Sequence, residues 1–111
     1  MVKIIVSGIN GRMGRAIEEM CKTGTKHQIV AGVDINLGIP HPFPVVSDIN
    51  DIDTSPDAII DFSHHTAAPA ICDYAVKTRT PVIFCTTGYT QEELETITKA
   101  SKKVAVFKSG N

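Results

Sequence analysis

The chain has 111 residues and a formal net charge of −1, and 42% of its residues are hydrophobic, 21% charged and 5% aromatic. These values fit one globular domain with a hydrophobic core, and they argue against nucleic-acid binding. The longest apolar runs have about five residues, which is too short to span a membrane. The N-terminus lacks a signal-peptide layout and Cys21, Cys72 and Cys85 form no CxxC pair, so we expect reduced thiols and a cytoplasmic location.

The apolar pattern alternates strands with helices along the chain. Short, nearly continuous apolar runs predict buried strands, and apolar residues three and four positions apart predict amphipathic helices. Gly24 is a plausible helix end, Pro69 fits a first helical turn, and Thr90 with Glu93 forms a predicted capping box. The predicted strands are residues 2–6, 28–33, 43–46, 58–62, 81–85 and 104–107, and the predicted helices are residues 12–23, 48–52, 66–77 and 90–101.

This order predicts an α/β fold, a single Rossmann-like domain whose parallel sheet carries helices on both faces. Short connections between strands and helices require right-handed crossovers and therefore parallel strands. Such sheets bind ligands at the carboxyl ends of their strands. The segments expected to meet there are residues 8–14, 34–36, 62–66, 85–89 and 108–111.

Residues 4–14 are the most informative stretch, because a short apolar strand runs into Gly8, Gly11 and Gly14 just before a predicted helix. Such a loop binds a dinucleotide pyrophosphate: the first glycine makes a tight turn, the second lets the backbone approach the phosphates, and the third lets the helix pack on the strand. The phosphates would lie on the free N–H groups of the helix start. Glycines also mark turns without a ligand, but this context favours nucleotide binding.

Asp34 ends the second predicted strand, 20 positions after Gly14. It is predicted to accept hydrogen bonds from the adenosine ribose hydroxyls, although a solvated turn aspartate is the alternative. Neither Ile35 nor Asn36 supplies a guanidinium for a 2′-phosphate, which the carboxylate would also repel. We therefore expect NADH to be preferred over NADPH, and Arg12 at the helix start is the residue that could reverse this preference.

Two other segments carry reactive side chains. Residues 85–88 follow a buried strand and either contact the nicotinamide side of the cofactor or form only a turn of small residues. No histidine is placed to activate Cys85, which favours a buried thiol over a nucleophile. His64 and His65 would point in opposite directions on an extended segment, so that even with Asp61 nearby no metal site is expected.

Four segments, in chain order, resemble the dihydrodipicolinate reductases (4-hydroxy-tetrahydrodipicolinate reductases). The pattern Gly-x-x-Gly-Arg-Met-Gly at residues 8–14 resembles the N-terminal motif of that family. Asp61-Phe-Ser63 is similar to its Asp-Phe-Ser/Thr strand end, and Thr86-Thr87-Gly88 is similar to its Gly-Thr-Thr-Gly loop. Residues 106–111 resemble the segment that enters its Asn-containing hinge, and the resemblance covers residues 2–111.

The resemblance implies that residues 1–111 are the NAD(P)-binding Rossmann domain of a two-domain oxidoreductase. Members of the family transfer a hydride from NADH or NADPH to a cyclic dicarboxylate imine in bacterial lysine and diaminopimelate biosynthesis. Cys85 stands where the family usually has glycine, and it is expected to contribute through its backbone. The cofactor-binding residues that the resemblance implies are Gly8, Ile9, Asn10, Gly11, Arg12, Met13, Asp34, Cys85, Thr86, Thr87, Ser109, Gly110 and Asn111.

The family's substrate domain carries His-His-Arg-x-Lys and Pro-Ser-Gly-Thr motifs, and neither occurs in this sequence. The chain is therefore expected to hold no catalytic residue and to bind cofactor without turnover. Family members return a C-terminal segment to the cofactor domain, so its absence should leave apolar surface uncovered and favour self-association. The full-length parent is expected to be a homotetramer that takes a small-molecule substrate, with no nucleic-acid or membrane partner.

Two alternatives remain open at this point. The glycine loop is also compatible with the nucleotide-binding domain of a CoA ligase or of a different dehydrogenase. A stand-alone NAD-sensing module is compatible with a chain that shows no obvious base, nucleophile or metal set.

Overall fold

Six parallel strands form one sheet in the computed structural model, which describes residues 1–24 and 26–109. The strands are β1 (Val2–Ser7), β2 (His27–Val33), β3 (Val45–Val46), β4 (Ala58–Asp61), β5 (Val82–Phe84) and β6 (Val106–Lys108). Their order across the sheet is β3-β2-β1-β4-β5-β6, and every neighbouring pair is parallel. The order reverses between β1 and β4, which opens a crevice at the carboxyl ends of the central strands.

Helices cover both faces of the sheet, as predicted. The helices are α1 (Arg12–Thr23), α2 (Ala68–Thr78) and α3 (Gln91–Ser101). The core on one face is formed by Ile4, Val6, Ile9 and Ile29, against which Ile17 and Cys21 of α1 pack. The core on the other face joins Ile5, Ile59 and Phe84 of the strands to Ile71 and Ala75 of α2 and to Ile97 and Ala100 of α3. The predicted Rossmann-like α/β fold is therefore confirmed.

Helix ends lie in the three places that local sequence signals predicted. Thr90 and Glu93 form the predicted capping box, in which Thr90 Oγ1 accepts a hydrogen bond from Glu93 N (3.1 Å) and Glu93 Oε1 accepts one from Thr90 N (2.8 Å). Pro69 lies in the first turn of α2, where no N–H is needed. Gly24 is the C-cap of α1, where its N–H donates to the Met20 carbonyl oxygen (3.2 Å), and its backbone is extended (φ −94°) rather than left-handed.

The largest differences from the predicted elements lie between β2 and β4. The predicted strand 43–46 shortens to two residues, Val45–Val46, because Pro44 has no N–H to donate to a neighbouring strand. The predicted helix 48–52 is a single 3₁₀ turn, Ile49–Asp51, which the Asp48 side chain begins by accepting a hydrogen bond from Asn50 N (2.9 Å). Another 3₁₀ turn, His65–Ala67, precedes α2.

One half of the α1 face of the sheet carries apolar side chains that become more exposed toward β6. Val6, Ile60, Ile83 and Phe107 lie next to one another across β1, β4, β5 and β6. Val6 is fully buried, whereas 62% of Phe107 is exposed. Among residues 1–24 and 26–109, α1 is the only helix that packs on this face. We call these four residues the open row.

In the described part of the chain, no helix combines the length and the apolar character that crossing a bilayer requires.

Candidate functional site

The loop between β1 and α1 turns sharply at Gly8, as predicted. Gly8 has a φ of +83°, and a Cβ on it would lie 2.9 Å from both Phe62 C and Ser63 N. A Cβ on Gly14 would collide with the Gly8 carbonyl oxygen and the Ile9 backbone. Because both positions exclude a side chain, the loop folds tightly against the end of β4 and α1 starts directly beside the strand.

No side chain accepts a hydrogen bond from the backbone N–H groups at the start of α1. Gly11 is the N-cap residue, no side chain caps the helix, and its first turn contains no acidic residue. Such an N-terminus attracts anions through its N–H groups and the helix dipole. This end of α1 is therefore suited to a phosphate group.

A cleft of about 550 Å³ lies beside this loop, at the carboxyl ends of β1, β2 and β4. Three predicted site residues, Gly8, Gly11 and Asp34, line it directly. The complete lining is Ser7, Gly8, Gly11, Val33, Asp34, Ile35, Ser47, Phe62, Ser63, His64, Thr66 and Ala67. The lining of the cleft includes residues of the glycine loop and of the turn after β4.

None of the other described residues that were predicted to bind the cofactor lines this cleft. Ile9 is fully buried and its side chain packs against Gly32, so its side chain belongs to the core. Arg12 and Met13 are exposed at the start of α1. Ser109 lies beside β5, where its N–H donates to the Phe84 carbonyl oxygen (2.7 Å). Gly110 and Asn111 are outside the described residues.

Asp34 joins the glycine loop to the loop after β2. Its Oδ2 accepts a hydrogen bond from Asn10 N (3.0 Å), and its Oδ1 accepts one from Asn36 N (2.9 Å). A carboxylate has about four lone-pair positions, so both oxygens keep capacity for further donors. The side chain that was predicted to bind ribose therefore also shapes the loop that would hold the phosphates.

Asn10 makes side-chain contacts that the sequence did not predict. Its Nδ2 donates to the Asn36 carbonyl oxygen (2.6 Å), and its Oδ1 lies 2.6 Å from His41 Nε2. His41 Nδ1 lies 2.8 Å from Glu18 Oε1 of α1. No local pattern marks these contacts, because His41 and Glu18 are brought to Asn10 only by the path of the proline-rich loop across α1.

The segment after β5 lies next to the end of β4. Cys85 N donates to the Asp61 carbonyl oxygen (2.9 Å), and Gly88 has a φ of +84°. Burial, together with the nearby Asp61 carboxylate, raises the pKa of the Cys85 thiol, which favours the neutral form. The Cys85 side chain is partly buried and not fully buried as predicted. Thr86 is half-buried and Thr87 is exposed at the surface.

Asp61 is a fully buried carboxylate at the centre of these loops. Its Oδ1 accepts hydrogen bonds from Ser63 N (3.0 Å) and Ser63 Oγ (2.5 Å). Burial raises the pKa of Asp61, and hydrogen bonds from Ser63 and Ser7 oppose that rise. The aspartate thus holds the turn after β4 in the position where it meets Gly8. The sequence marked this residue only as part of a motif and as a neighbour of His64 and His65.

The expectation that His64 and His65 point in opposite directions is wrong. Their rings lie 4.3 Å apart between centroids, at an angle of 35°. The chain bends here into a 3₁₀ turn, whose N-cap is His64, so the alternation of an extended strand does not apply. His65 Nδ1 contacts Glu93 Oε1 at 2.7 Å. No three His, Cys, Asp or Glu side chains come together as a possible metal site within the ranges that the structure describes.

The fold and the cleft define a Rossmann-type nucleotide-binding domain. The family model "Dihydrodipicolinate reductase, N-terminus" matches residues 2–111. The chain therefore belongs to the family of N-terminal domains of dihydrodipicolinate reductase, as the four sequence motifs predicted.

Curated relatives agree with this family. The chain is 40% identical over 111 residues to the 4-hydroxy-tetrahydrodipicolinate reductase of Caldanaerobacter subterraneus, covering all of this chain and 44% of that protein. It is 38% identical over 112 residues to the enzyme of the same name from Clostridium perfringens, again covering 44% of that protein. The chain thus spans less than half the length of these relatives.

Solved structures share the fold. A dipicolinate-bound dihydrodipicolinate reductase from a Paenisporosarcina species matches all of this chain and 48% of its own, with a TM-score of 0.83 and 18% identity. A scyllo-inositol dehydrogenase from Lactobacillus casei with bound NAD(H) and scyllo-inositol covers 98% of this chain and 36% of its own, with a TM-score of 0.74 and 16% identity. At these identities the likeness concerns the fold alone.

Proposed function

We propose that this chain is the cofactor-binding part of a 4-hydroxy-tetrahydrodipicolinate reductase and that it binds NADH in the cleft beside the glycine loop. The observation that carries this proposal is the convergence of Gly8, Gly11 and Asp34 on one cleft at the reversal of strand order. Dinucleotides bind at this position in Rossmann folds. The family match narrows the dinucleotide to NADH or NADPH.

Each part of the cofactor has a matching surface. The pyrophosphate would lie on the backbone of Gly8, Ile9, Asn10, Gly11, Arg12 and Met13, where the start of α1 has no competing acidic cap. The adenosine ribose would donate to Asp34. The nicotinamide end would lie toward Cys85, Thr86 and Thr87, with Ser109, Gly110 and Asn111 closing that side.

The chemistry of the reaction divides between the cofactor and the protein. Bound NADH supplies the hydride, and in the full-length enzyme the acceptor is the cyclic dicarboxylate imine of lysine and diaminopimelate biosynthesis. The residues of this chain orient the dinucleotide through the glycine loop and Asp34. We assign proton donation and substrate binding to the rest of the reductase, so the 111-residue chain should bind cofactor without turnover.

We further propose a preference for NADH over NADPH. Asp34 lies in the cleft together with Ile35, which is 95% exposed, and no Lys or Arg is among the described residues that line the cleft. A 2′-phosphate would meet a carboxylate there without a cation to offset the repulsion. Arg12, which is exposed at the start of α1, is the alternative partner for a 2′-phosphate.

Fluorescence titration of NADH, NADPH and coenzyme A into the 111-residue chain tests the proposal. We expect saturable NADH binding, weaker NADPH binding and no displacement of NADH by coenzyme A. Tighter binding of coenzyme A at the same site would favour a CoA-ligase domain, and NADPH binding equal to or tighter than NADH would contradict the cofactor preference. Reductase activity of the isolated chain would contradict the assignment of proton donation and substrate binding to the rest of the reductase.

A further inference from the structure

The loop after β5 is held mainly at its two ends. At its start, Cys85 N donates to the Asp61 carbonyl oxygen (2.9 Å). At its other end, Thr90 begins α3 through the capping box with Glu93. Among residues 1–24 and 26–109, no backbone–backbone hydrogen bond involves residues 86–89. The position of these four residues therefore depends on how the end of the loop is held.

His65 holds that end from the turn after β4. Its Nδ1 lies 2.7 Å from Glu93 Oε1, in a contact between residues that are 28 positions apart in the chain. The same oxygen accepts a hydrogen bond from Thr90 N (2.8 Å). One carboxylate oxygen thus joins the first turn of α3, the end of the loop and the turn after β4. We call the contact between His65 and Glu93 the histidine bridge.

The direction of the histidine bridge follows from the ionised state of Glu93. Hydrogen bonds from the Thr90 backbone and from His65 hold the pKa of Glu93 below its usual value, so its oxygen is a carboxylate oxygen that can only accept. His65 Nδ1 therefore carries the proton of this hydrogen bond. A neutral imidazole protonated on Nδ1 is sufficient for the contact, so the bridge requires no change in the charge of His65.

The His65 ring also contacts the loop itself. Its Cδ2 lies 3.9 Å from the point that a Cβ on Gly88 would occupy, and Gly88 has a φ of +84°. The next residue, Tyr89, packs its ring edge-on against Phe84 of β5, with centroids 6.0 Å apart. The second half of the loop is therefore held by β5 on one side and by the turn after β4 on the other.

We propose that His65 is a positioning residue for the nicotinamide end of the cofactor: its hydrogen bond to Glu93 holds residues 85–89 in the arrangement that binds NADH. This inference rests on the proposed cofactor site, in which Thr86 and Thr87 lie at the nicotinamide end. Without the histidine bridge, NADH would have to order this loop as it binds, and that cost lowers the apparent affinity.

The adenosine half of the cofactor should not depend on the histidine bridge, because its proposed contacts lie on the glycine loop and Asp34. His64 lines the cleft on that side, and its ring lies 4.3 Å from the His65 ring between centroids. His64 has its own anchor, since its Nδ1 lies 2.9 Å from Thr66 Oγ1 and accepts a hydrogen bond from Thr66 N (3.4 Å). We therefore expect His64 to keep its place when the bridge is removed.

Calorimetric titration of NADH and of ADP into the 111-residue chain tests the two ends of the site separately. ADP carries the adenosine and both phosphates but no nicotinamide half. His65→Phe keeps an aromatic ring beside His64 and has no N–H to donate. It should weaken NADH binding about three- to tenfold, the range expected for losing one hydrogen bond, and leave ADP binding unchanged. His65→Ala also lacks a donor and should give the same pattern if His65→Phe fails to fold.

Two further variants separate positioning from general stability. His65→Asn removes the ring but places an amide N–H near the position of Nδ1, so it should restore most of the NADH affinity that His65→Phe loses. Thr78→Ala removes the side-chain hydrogen bond to the Tyr74 carbonyl oxygen (2.8 Å) at the C-terminal end of α2, away from the loop. It should lower the urea midpoint and leave NADH affinity unchanged.

Three results would overturn the inference: equal weakening of NADH and ADP binding in His65→Phe, unchanged NADH affinity in the variants without a donor, or an NADH affinity of His65→Asn as low as that of His65→Phe. If the wild-type chain binds neither NADH nor ADP, the proposed cofactor site fails separately. The amide NMR relaxation of residues 86–88 without ligand then decides the role of His65. Greater mobility in His65→Phe than in wild type and His65→Asn supports the role, and equal mobility refutes it.

Discussion

The backbone of Ser63 lies so close to Gly8 that a Cβ on Gly8 would be 2.9 Å from the Ser63 amide nitrogen. This contact joins the turn after β1 to the turn after β4, the two turns between which the strand order reverses. The floor of the cleft is therefore made of two backbones in direct contact. Its shape depends on a residue without a side chain at position 8.

Gly8→Ala should destabilise the fold. The added Cβ meets the Phe62 and Ser63 backbones, and φ of +83° is unfavourable for alanine, so we expect a loss of about 2–4 kcal/mol in the free energy of unfolding. Urea denaturation measures this loss. Gly38→Ala is the matched control, since a Cβ there meets only the Asn36 side chain at 3.4 Å, and it should leave stability nearly unchanged. A Gly8→Ala variant as stable as wild type would show that the turn is not constrained.

Gly11→Ala should keep the fold and lose cofactor affinity. Its backbone has a negative φ of −81°, and a Cβ would lie 3.4 Å from the Gly8 carbonyl oxygen, which neighbouring atoms can accommodate. The methyl group would instead occupy the space where the pyrophosphate approaches the loop. We expect a loss of no more than about 1 kcal/mol in the free energy of unfolding, because alanine is a poorer N-cap than glycine, and at least about a tenfold weaker NADH affinity, which calorimetry would detect. Unchanged affinity would place the phosphates elsewhere.

Ile35→Arg should increase the affinity for NADPH without changing stability. Ile35 is 95% exposed at the edge of the cleft, so an arginine there meets no packing conflict. A guanidinium beside the ribose would pair with a 2′-phosphate, and a charge-assisted hydrogen bond is worth about a tenfold gain. Leu37→Arg, on an exposed residue that does not line the cleft, should not produce this gain. Equal gains in both variants would indicate a general charge effect.

Asp61→Asn should change how stability depends on pH. Burial raises the Asp61 pKa above its unfolded value, so the folded state binds a proton more tightly than the unfolded chain. The stabilisation from this proton is present below the unfolded pKa of about 4 and is lost as pH rises through the raised folded pKa. Asparagine keeps the acceptor for Ser63 and has no charge to bury. The free energy of unfolding of Asp61→Asn should therefore lack the part of the pH dependence that comes from the Asp61 proton.

Denaturation of wild type and Asp61→Asn at several values between about pH 4 and pH 8 measures that difference. The stability of Asp61→Asn relative to wild type should increase toward neutral pH. Asp53→Asn, on an exposed loop residue, is the control and should follow wild type. Parallel curves for wild type and Asp61→Asn would show that the buried carboxylate does not change its protonation in this range.

Phe107→Ser should reduce self-association of the 111-residue chain. The open row ends at Phe107, which is 62% exposed, and contiguous apolar surface of this kind promotes contacts between copies. Sedimentation velocity should show concentration-dependent association of the wild-type chain and less association of the variant. Met20→Ser, which removes a side chain that is 68% exposed on α1, should have no such effect. A wild-type chain that stays monomeric at all concentrations would contradict this role of the open row.

The elements and the glycine loop were predictable because their signals are local. Apolar runs, the Thr90–Glu93 capping box and the position of Pro69 depend on residues a few positions apart. Gly11 and Gly14 also act locally, since a Cβ on either would meet the backbone of the same loop, whereas a Cβ on Gly8 would meet the distant turn after β4. The order of elements then limits the topology to a parallel sheet, and the strand ends bring Gly8 and Asp34 together.

The rest of the site depends on contacts between distant segments. His41 reaches Asn10 and Glu18 from a loop with several prolines, where neither spacing nor composition predicts a direction. The close approach of the His64 and His65 rings follows from a 3₁₀ turn that the sequence pattern did not reveal. Such contacts are set by how the loop packs, and loop packing carries no periodic signal.

Titration of NADH into the isotope-labelled 111-residue chain, followed by amide NMR, locates the cofactor on the protein. We expect one saturable site, with the largest shifts at Gly8, Asn10, Gly11 and Asp34 and further shifts at Cys85 and Thr86. Saturable binding that leaves the glycine loop unperturbed, or the absence of binding at millimolar NADH, would contradict the assignment of this cleft to the cofactor.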